Sequence, residues 1–242
     1  MQNSQNKTGL YLSVQPLSTE KPVDVTHLLA VLKHRLPTHP ENTQYLQNIA
    51  DSTAPLRVKV QRLSALLTLT ELLSQVLPDS LDTLHLWRDE NGRPYAQTGA
   101  SCPPFDFNLS HTEGMVACAL LVGNGRVGVD AEALLPYDRA HKLAKRFYTE
   151  RENTHLSTFS TEYAYAEEVT RLWTAKEAIS KQDGHGEPLR FDGLNIPEGS
   201  NLQSFRYAHP NGSAIFVSLC ASVKAVTPII IFPTEGFEPT KF

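Results

Sequence analysis

The sequence has little cysteine, no long apolar run and no excess of positive charge. Its three cysteines, Cys102, Cys118 and Cys220, form no C-x-x-C pair, so neither a zinc site nor a disulfide framework is predicted. Widely spaced cysteines in odd number suit the reducing cytoplasm, where we expect the protein to reside. The apolar runs are too short to span a membrane, and the polar segment Met1–Thr8 lacks the apolar core of a signal peptide.

The charge balance limits the classes of ligand. The net charge is −4 over 242 residues, which argues against a general nucleic-acid binder because such proteins usually carry a basic excess. An anionic ligand would therefore need a local cluster of cations. With 40% apolar and 20% charged residues, the composition is typical of a globular chain that buries a core.

Several common catalytic signatures are also missing. There is no P-loop and no G-x-S-x-G elbow, and Ser110 and His111 are adjacent in sequence, which makes a serine hydrolase a weak alternative. Gly123, Gly125 and Gly128 have dinucleotide-motif spacing, but they lie between two predicted strands and open no helix. We therefore discard a dinucleotide site.

Helix and strand patterns alternate without a regular βαβ rhythm, which favours an α+β fold over a doubly wound sheet. Helices are predicted over residues 24–36, 55–77, 138–147 and 162–182, and a Thr149 capping box opens another short helix. Strands are predicted over residues 10–14, 105–109, 115–122, 126–131, 202–207, 215–221 and 228–232. Asn124 and Gly125 predict a hairpin between the third and fourth of these strands.

Two carboxylates lie on one face of the predicted strand that ends near Ala131. Because side chains alternate along a strand, Asp130 and Glu132 share a face with Gly128, which we expect to leave room for a ligand. Carboxylates paired in this way could hold a hard cation such as Mg²⁺. The alternative is that they only solubilise the end of the strand.

The helix over residues 162–182 carries a second group of candidates. Its apolar stripe contains Val169, Leu172, Ala175 and Ile179. A different face carries Trp173, Glu177 and Lys181, where the last two could be only an exposed ion pair and the tryptophan only packing. Lys176 falls within the apolar stripe, so either its stem reaches water or it meets an anion in a cleft.

Cationic and hydroxyl side chains could hold a phosphate. Ser110, His111 and Thr112 are expected in a turn after a short strand, where their side chains and the turn amides would offer donors. Arg93, before Pro94, is either a plain turn residue or a cation directed at the same anion.

Taken together, these segments resemble the surfactin-type class of the 4'-phosphopantetheinyl transferase superfamily. The family pattern is Lys/Arg-Pro, then F-N-x-S-H, then G-V/I-D-x-E, then W-x-x-K-E-A/S-x-x-K. This chain has these matches in the same order: Arg93-Pro94, Phe107–His111, Gly128–Glu132 and Trp173–Lys181. The resemblance covers roughly residues 88–190, and it departs from the prototype in having arginine at position 93, which keeps the charge.

The resemblance implies a pseudo-dimer of two similar α+β halves with the active site in the cleft between them. We expect residues 1–126 to form the half on the nucleotide side of coenzyme A and residues 127–242 the half on the metal and pyrophosphate side. A serine of an acyl or peptidyl carrier protein would receive the 4'-phosphopantetheine group, and 3',5'-ADP would leave. We expect a monomer that binds neither nucleic acid nor membrane.

The resemblance also implies roles for particular residues. Mg²⁺ would be held by Asp130, Glu132 and Glu177, with Glu177 as a candidate general base and Lys181 on the pyrophosphate. Together, Asp130, Glu177 and Lys181 form the expected catalytic set. Coenzyme A would be contacted by Arg62, Arg93, Ser110, His111, Lys176 and Lys181, with Arg62 only loosely matched to the family.

The expected partner suggests a docking segment. Carrier proteins of this class are acidic helical bundles, so docking on an acidic chain requires a local basic surface. The segment from Leu134 to Phe147 follows the expected metal site and carries Arg139, Lys142, Lys145 and Arg146. The alternative is that these cations only solvate a helix.

Two other functions remain open at the level of sequence. One is a non-catalytic protein that binds coenzyme A or a carrier, although the complete acidic set argues against it. The other is a metal-dependent phosphohydrolase of different fold, which would usually show more aspartate and histidine ligands than this chain offers.

Overall fold

The fold consists of six α-helices and ten strands in the described part of the chain. The structure is a computed structural model, and it describes residues 9–17, 24–90, 92–184, 201–208, 214–222, 230–232 and 239–241. The helices are α1 (Val25–Arg35), α2 (Pro40–Asp51), α3 (Leu56–Val76), α4 (Tyr137–Phe147), α5 (Glu150–Leu156) and α6 (Glu162–Asp183). The strands are β1 (Gly9–Pro16), β2 (His85–Arg88), β3 (Pro94–Gln97), β4 (Phe105–Thr112), β5 (Met115–Val122), β6 (Val127–Ala133), β7 (Asn201–Ala208), β8 (Ala214–Ala221), β9 (Ile230–Phe232) and β10 (Pro239–Lys241).

Two four-stranded sheets pack face to face. The first has the order β4-β5-β1-β9 and the second the order β10-β7-β8-β6, while β2 and β3 form a separate hairpin. Neighbouring strands are antiparallel except β1 and β9, which run parallel. The predicted α+β class is confirmed. The similarity of the two halves stays a prediction, as does their division after residue 126.

The hydrophobic core explains why the central strands read as unbroken apolar runs. All eight residues of β5 are buried, because its two faces meet different layers. Ala117, Ala119 and Leu121 face the second sheet, whereas Cys118 and Leu120 face α1, α2 and α3. The second sheet is covered on its other face by α6, so the described residues form four layers, helix-sheet-sheet-helix.

A polar seam joins the two sheets along the edge of β6. The backbone N–H groups of alternate β6 residues donate hydrogen bonds to side-chain oxygens of β4 instead of to a neighbouring strand. The four bonds, which we call the seam bonds, are Val127 to Asp106 at 2.8 Å, Val129 to Asn108 at 3.0 Å, Ala131 to Ser110 at 3.1 Å and Ala133 to Thr112 at 3.2 Å. This edge is thereby satisfied without extending the sheet.

The seam explains two wrong predictions. Ser110, His111 and Thr112 lie within β4 rather than in a turn, which instead falls at Gly114, with φ of 79°. The predicted hairpin between β5 and β6 is absent, because β5 pairs with β1 and β4 while β6 pairs with β8. The segment around Gly125 carries the chain from one sheet to the other.

Most other elements match their predictions within a few residues. The long helices α3 and α6 and the capping box at Thr149 are confirmed. Helix α2 and the β2–β3 hairpin were not predicted, because α2 presents only a short buried stripe of Tyr45, Leu46 and Ile49. Within the described ranges, no helix is long and apolar enough to cross a membrane.

Gly128 permits α6 to lie directly on β6. A Cβ at this position would overlap the carbonyl oxygen of Ala178 and lie 2.5 Å from the backbone nitrogen of Gln182. The room that the sequence was expected to leave for a ligand is therefore filled by helix backbone. This close approach brings the face of α6 that carries Glu177 next to the carboxylates of β6.

We predict that Gly128→Ala destabilises the protein by about 1–3 kcal/mol, because the helix must move away from the strand. The measurement is the free energy of unfolding from urea denaturation. The matched control is Gly99→Ala, where the nearest atom to an added Cβ, Thr83 Oγ1, lies at an ordinary 3.4 Å. Equal stability of the Gly128 variant and the parent would show that this contact is not tight.

Candidate active site

Three carboxylates from two elements line one small pocket. Asp130 and Glu132 come from β6 and Glu177 from α6, around an opening of about 200 Å³ that we call the acidic pocket. The remaining lining residues are Leu109, Ser110, His111, Ala131, Trp173 and Lys181. The structure thus brings together eight of the nine site residues singled out from the sequence, counting Arg62 and Arg93 on the neighbouring cleft described below.

A cation of the protein already sits on the most buried carboxylate. Lys181 Nζ lies 2.6 Å from Asp130 Oδ1, and it also donates to Ser110 Oγ at 3.2 Å and to the Val129 carbonyl at 3.3 Å. Asp130 is 8% exposed, so its carboxylate is shielded from water, whereas the Lys181 side chain is 29% exposed. The lysine therefore compensates part of the negative charge in the acidic pocket.

The remaining negative charge shifts the pKa values of the other two carboxyls. Burial, together with the charge of Asp130, raises the pKa of Glu177 to about 7, although Lys181 acts in the opposite direction. Burial and Asp130 also raise the pKa of Glu132. A divalent cation would relieve this repulsion, so the donor chemistry fits a hard cation.

Two carboxylates of the acidic pocket are engaged by cations of the protein itself. Among the described residues, no group of three histidine, cysteine, aspartate or glutamate side chains is arranged closely enough to hold an ion. Lys181 occupies one carboxylate oxygen of Asp130, and Arg139 lies 3.8 Å from Glu132. Binding of a metal cation would therefore require Lys181 and Arg139 to move away from these carboxylates.

A basic cleft adjoins the acidic pocket. This second opening, of about 270 Å³, is lined by the cationic side chains of Arg62, Arg88, Arg93 and Lys181, and by His111. Both openings share His111 and Lys181. Burial and the charges of Lys181 and Arg62 lower the pKa of His111, which is what a cluster of positive charge produces.

Arg88 is the cleft residue that sequence reasoning missed. It precedes the turn between β2 and β3, lies over the Tyr45 ring at 5.3 Å and donates to the Gly92 carbonyl at 2.5 Å. Arg62 and Arg88 also line a wider depression beside the cleft, which extends to Trp87. The only signal in the sequence is that Arg88 stands five residues before Arg93.

Arg93 is held inside the protein rather than extended toward a ligand. Its guanidinium is 7% exposed and pairs with Asp106 at 2.8 Å. It also donates to the carbonyls of Val127, at 3.1 Å, and of Lys181. These contacts tie β4, β6 and the last turn of α6 together, so most of its donors are already used.

Lys176 lies away from both openings. Its side chain is fully buried, and its ammonium pairs with Glu152 at 2.9 Å beneath α5. Of the two possibilities for this lysine, the buried anion is therefore the one observed, and that anion is a carboxylate of the protein itself. Its position does not support the expected contact with coenzyme A.

Trp173 connects the acidic pocket to α4. Its ring packs against Phe147 with ring centroids 5.6 Å apart, and Arg146 lies over the Phe147 ring at 4.8 Å. The last turn of α4 therefore forms the wall next to the acidic pocket. Trp173 therefore packs against α4, as expected, and also lines the acidic pocket.

Part of the sequence is similar to a known protein family. The sequence model of the 4'-phosphopantetheinyl transferase superfamily matches residues 126–226. This range contains β6, the carboxylate pair and α6. The resemblance to that superfamily is confirmed.

Individual relatives match part of the chain. The chain is 38% identical over 95 residues to the 4'-phosphopantetheinyl transferase AcpT of Salmonella typhimurium, covering 39% of this chain and 47% of that protein. It is 32% identical over 111 residues to a 4'-phosphopantetheinyl transferase of Bacillus subtilis, covering 44% of each. It is also 32% identical over 98 residues to the B. subtilis transferase Sfp, covering 39% of this chain and 40% of Sfp. The matches span less than half the length of these relatives.

The raised pKa of Glu177 predicts a pH dependence of stability. Because this pKa is about 7 in the folded protein and 4.5 without the fold, the folded state binds more protons between these values. The contribution of Glu177 is therefore favourable below pH 4.5 and is lost as the pH rises through about 7. Glu177→Gln should make the parent's loss of stability over this range shallower, as measured by urea denaturation from pH 5 to 8.

The pH profile of Glu177→Gln must be compared with that of the parent. His111, whose pKa is lowered, contributes a dependence of stability on pH of the opposite sign in both proteins. Glu71→Gln is the matched control, since Glu71 pairs with Arg35 on the far surface of α3. Parallel pH profiles for the parent and the Glu177 variant would contradict the raised pKa.

Proposed function

We propose that the protein transfers 4'-phosphopantetheine from coenzyme A to a serine of an acyl or peptidyl carrier protein and releases 3',5'-ADP. The observation that supports this most directly is the junction of the acidic pocket and the basic cleft at His111 and Lys181. A ligand with several phosphates could bridge both openings. The relatives bear the name of this activity, and the family model covers β6 and α6, which carry the three carboxylates.

The two openings divide the binding of coenzyme A between them. Arg62, Arg88 and His111 line the cleft on the N-terminal side and suit the nucleotide phosphates. Lys181 stands between the two openings and suits the pyrophosphate. Arg93 supports Lys181 from within, through its bond to the Lys181 carbonyl.

The acidic pocket suits a divalent cation, which we propose to be Mg²⁺ held by Asp130, Glu132 and Glu177. When bound, such an ion supplies charge neutralisation on the pyrophosphate and on the leaving group. Lys181 pairs with Asp130 and also lines the basic cleft. It could therefore exchange its contact with Asp130 for a contact with a phosphate of the ligand. Phosphoryl transfer depends mainly on positioning and charge, so this arrangement is sufficient.

Glu177 is the proposed general base. The carrier serine Oγ forms a bond to the β-phosphorus while the bond from that phosphorus to the pyrophosphate bridging oxygen breaks. The serine proton passes to Glu177, and 3',5'-ADP carries away the electron pair. A Glu177 carboxylate oxygen that the cation does not engage would accept this proton.

Helix α4 is the proposed docking surface for the carrier. Ala140 and Ala144 face the protein, whereas Arg139, Lys142, Lys145 and Arg146 are exposed. Its last turn reaches the wall of the acidic pocket through Phe147 and Trp173. An acidic partner bound here would bring its serine next to the proposed site.

All residues of the proposed site come from one chain, so we propose that a monomer is active.

The decisive assay incubates the protein with coenzyme A, Mg²⁺ and a panel of apo-carriers, and follows the carriers by mass spectrometry. We expect the carrier to gain the mass of phosphopantetheine. Asp130→Asn should lower the rate by at least about 100-fold, because a cation ligand is lost. Glu71→Gln, a surface change of the same kind, should have no effect.

The other outcomes identify the competing functions. Binding of coenzyme A or carrier without mass gain would indicate the non-catalytic protein. Breakdown of coenzyme A without a carrier would indicate the phosphohydrolase. Full transfer in excess EDTA, or by Asp130→Asn, would contradict the cation site.

We predict that reversing two charges on α4 weakens carrier binding. Lys142→Glu with Lys145→Glu should raise KM for the carrier by about ten-fold at low salt and leave KM for coenzyme A unchanged. The effect should fade as salt increases, because exposed charges are screened over about 10 Å at 0.1 M.

The charge-matched control is Lys33→Glu with Arg57→Glu, two exposed positions on α1 and α3. If this pair raised KM for the carrier as much as the α4 pair, net charge rather than the α4 surface would govern docking. Unchanged KM in the α4 variant at low salt would show that the carrier docks elsewhere.

A further inference from the structure

Two hydroxyls of β4 each make a pair of hydrogen bonds to β6. Ser110 Oγ accepts the seam bond from the Ala131 N–H and donates to Asp130 Oδ1 at 3.0 Å. One step along the strands, Thr112 Oγ1 accepts from the Ala133 N–H and donates to Glu132 Oε2 at 3.4 Å. Both metal-ligand candidates of β6 are therefore contacted from the other sheet.

The side-chain types along the seam match the hydrogen bonds that each position makes. A hydroxyl can accept one hydrogen bond and donate another at the same oxygen, whereas a carboxylate only accepts. Hydroxyls stand at positions 110 and 112, which face Asp130 and Glu132. At the other two seam positions, the oxygens of Asp106 and Asn108 accept the N–H groups of Val127 and Val129, and these oxygens donate nothing to a β6 carboxylate.

Burial of the two hydroxyls allows them to fix the orientation of the carboxylates. Ser110 is 5% exposed, Thr112 is 9% and Asp130 is 8%, so water competes weakly for the bond between Ser110 and Asp130. The Glu132 side chain is 26% exposed, so water reaches its bond from Thr112 more easily. The hydroxyl oxygens are themselves fixed by the backbone of β6, which is paired on its other edge with β8. Each carboxylate is thus oriented relative to its own strand through a side chain of the opposite sheet.

We propose that Ser110 and Thr112 are positioning residues that orient Asp130 and Glu132 for a divalent cation. This inference depends on the cation site of the proposed function and replaces the phosphate contact expected for Ser110. Partners of this kind, one shell outside the ligands, typically affect metal affinity by about 10–100-fold. The seam therefore serves both to join the sheets and to restrain the two carboxylates of β6.

The test measures Mn²⁺ affinity by electron paramagnetic resonance in the presence of coenzyme A, which gives a readout independent of transfer. Thr112→Val removes the hydroxyl at nearly constant shape and should weaken Mn²⁺ binding by about ten-fold. Thr112→Ser restores the hydroxyl and should return the affinity to within about three-fold of the parent. Ser110→Ala should weaken Mn²⁺ binding at least as much as Thr112→Val.

Thr170→Val is the matched control for a merely structural effect. Thr170 Oγ1 also accepts from a backbone N–H, that of Leu135 at 3.1 Å, but it donates to the Ala166 carbonyl at 2.7 Å rather than to a carboxylate. We expect Thr170→Val to lower the melting temperature without changing Mn²⁺ affinity. An equal loss of affinity in this control would overturn the inference.

The remaining outcomes separate this inference from the proposed function. Parent-like Mn²⁺ affinity in Thr112→Val would overturn the positioning role, and so would absence of Mn²⁺ binding by the parent. If Thr112→Val does not melt cooperatively, Ser110→Ala takes its place with the same criteria. Weakened Mn²⁺ binding in these variants, combined with no transfer by the parent, would support the positioning role and contradict the transferase.

Discussion

The free edge of β6 is the constraint on which the rest of the structure depends. A strand whose N–H groups face another sheet must find acceptors, and here the acceptors are four alternate side chains of β4. This requirement fixes the register between the sheets. It also explains why a polar pattern, Asp106 to Thr112, runs through a strand whose neighbours are almost entirely apolar.

Concentrated negative charge is the second consequence of this packing. The close approach at Gly128 brings Glu177 near the carboxylates that the seam holds on β6. Lys181 compensates one of them, and burial, together with the charge of Asp130, raises the pKa of Glu177. A site that is strained electrostatically in this way is a typical starting point for binding a cation and a phosphate together.

The sequence predicted those features that depend on local periodicity. The apolar stripe of α6, the shared face of Asp130 and Glu132, and the α+β class all follow from spacing, and the structure has them. The turn at Ser110 and the β5–β6 hairpin were wrong because short-range signals cannot show that an edge is satisfied from another sheet. Arg88 was missed and Arg93 was given a ligand role because only the tertiary structure shows which arginine is buried among carbonyls.

A crystal structure with Mn²⁺ and coenzyme A tests the central claim most directly, because the anomalous signal locates the ion independently of any assay. The account predicts one strong peak about 2.1 Å from oxygens of Asp130, Glu132 and Glu177. The Ser110 and Thr112 hydroxyls should keep their bonds to β6, and Lys181 should have moved from Asp130 to the pyrophosphate. A peak outside the acidic pocket, or coenzyme A bound without its phosphates at Lys181, would contradict the account.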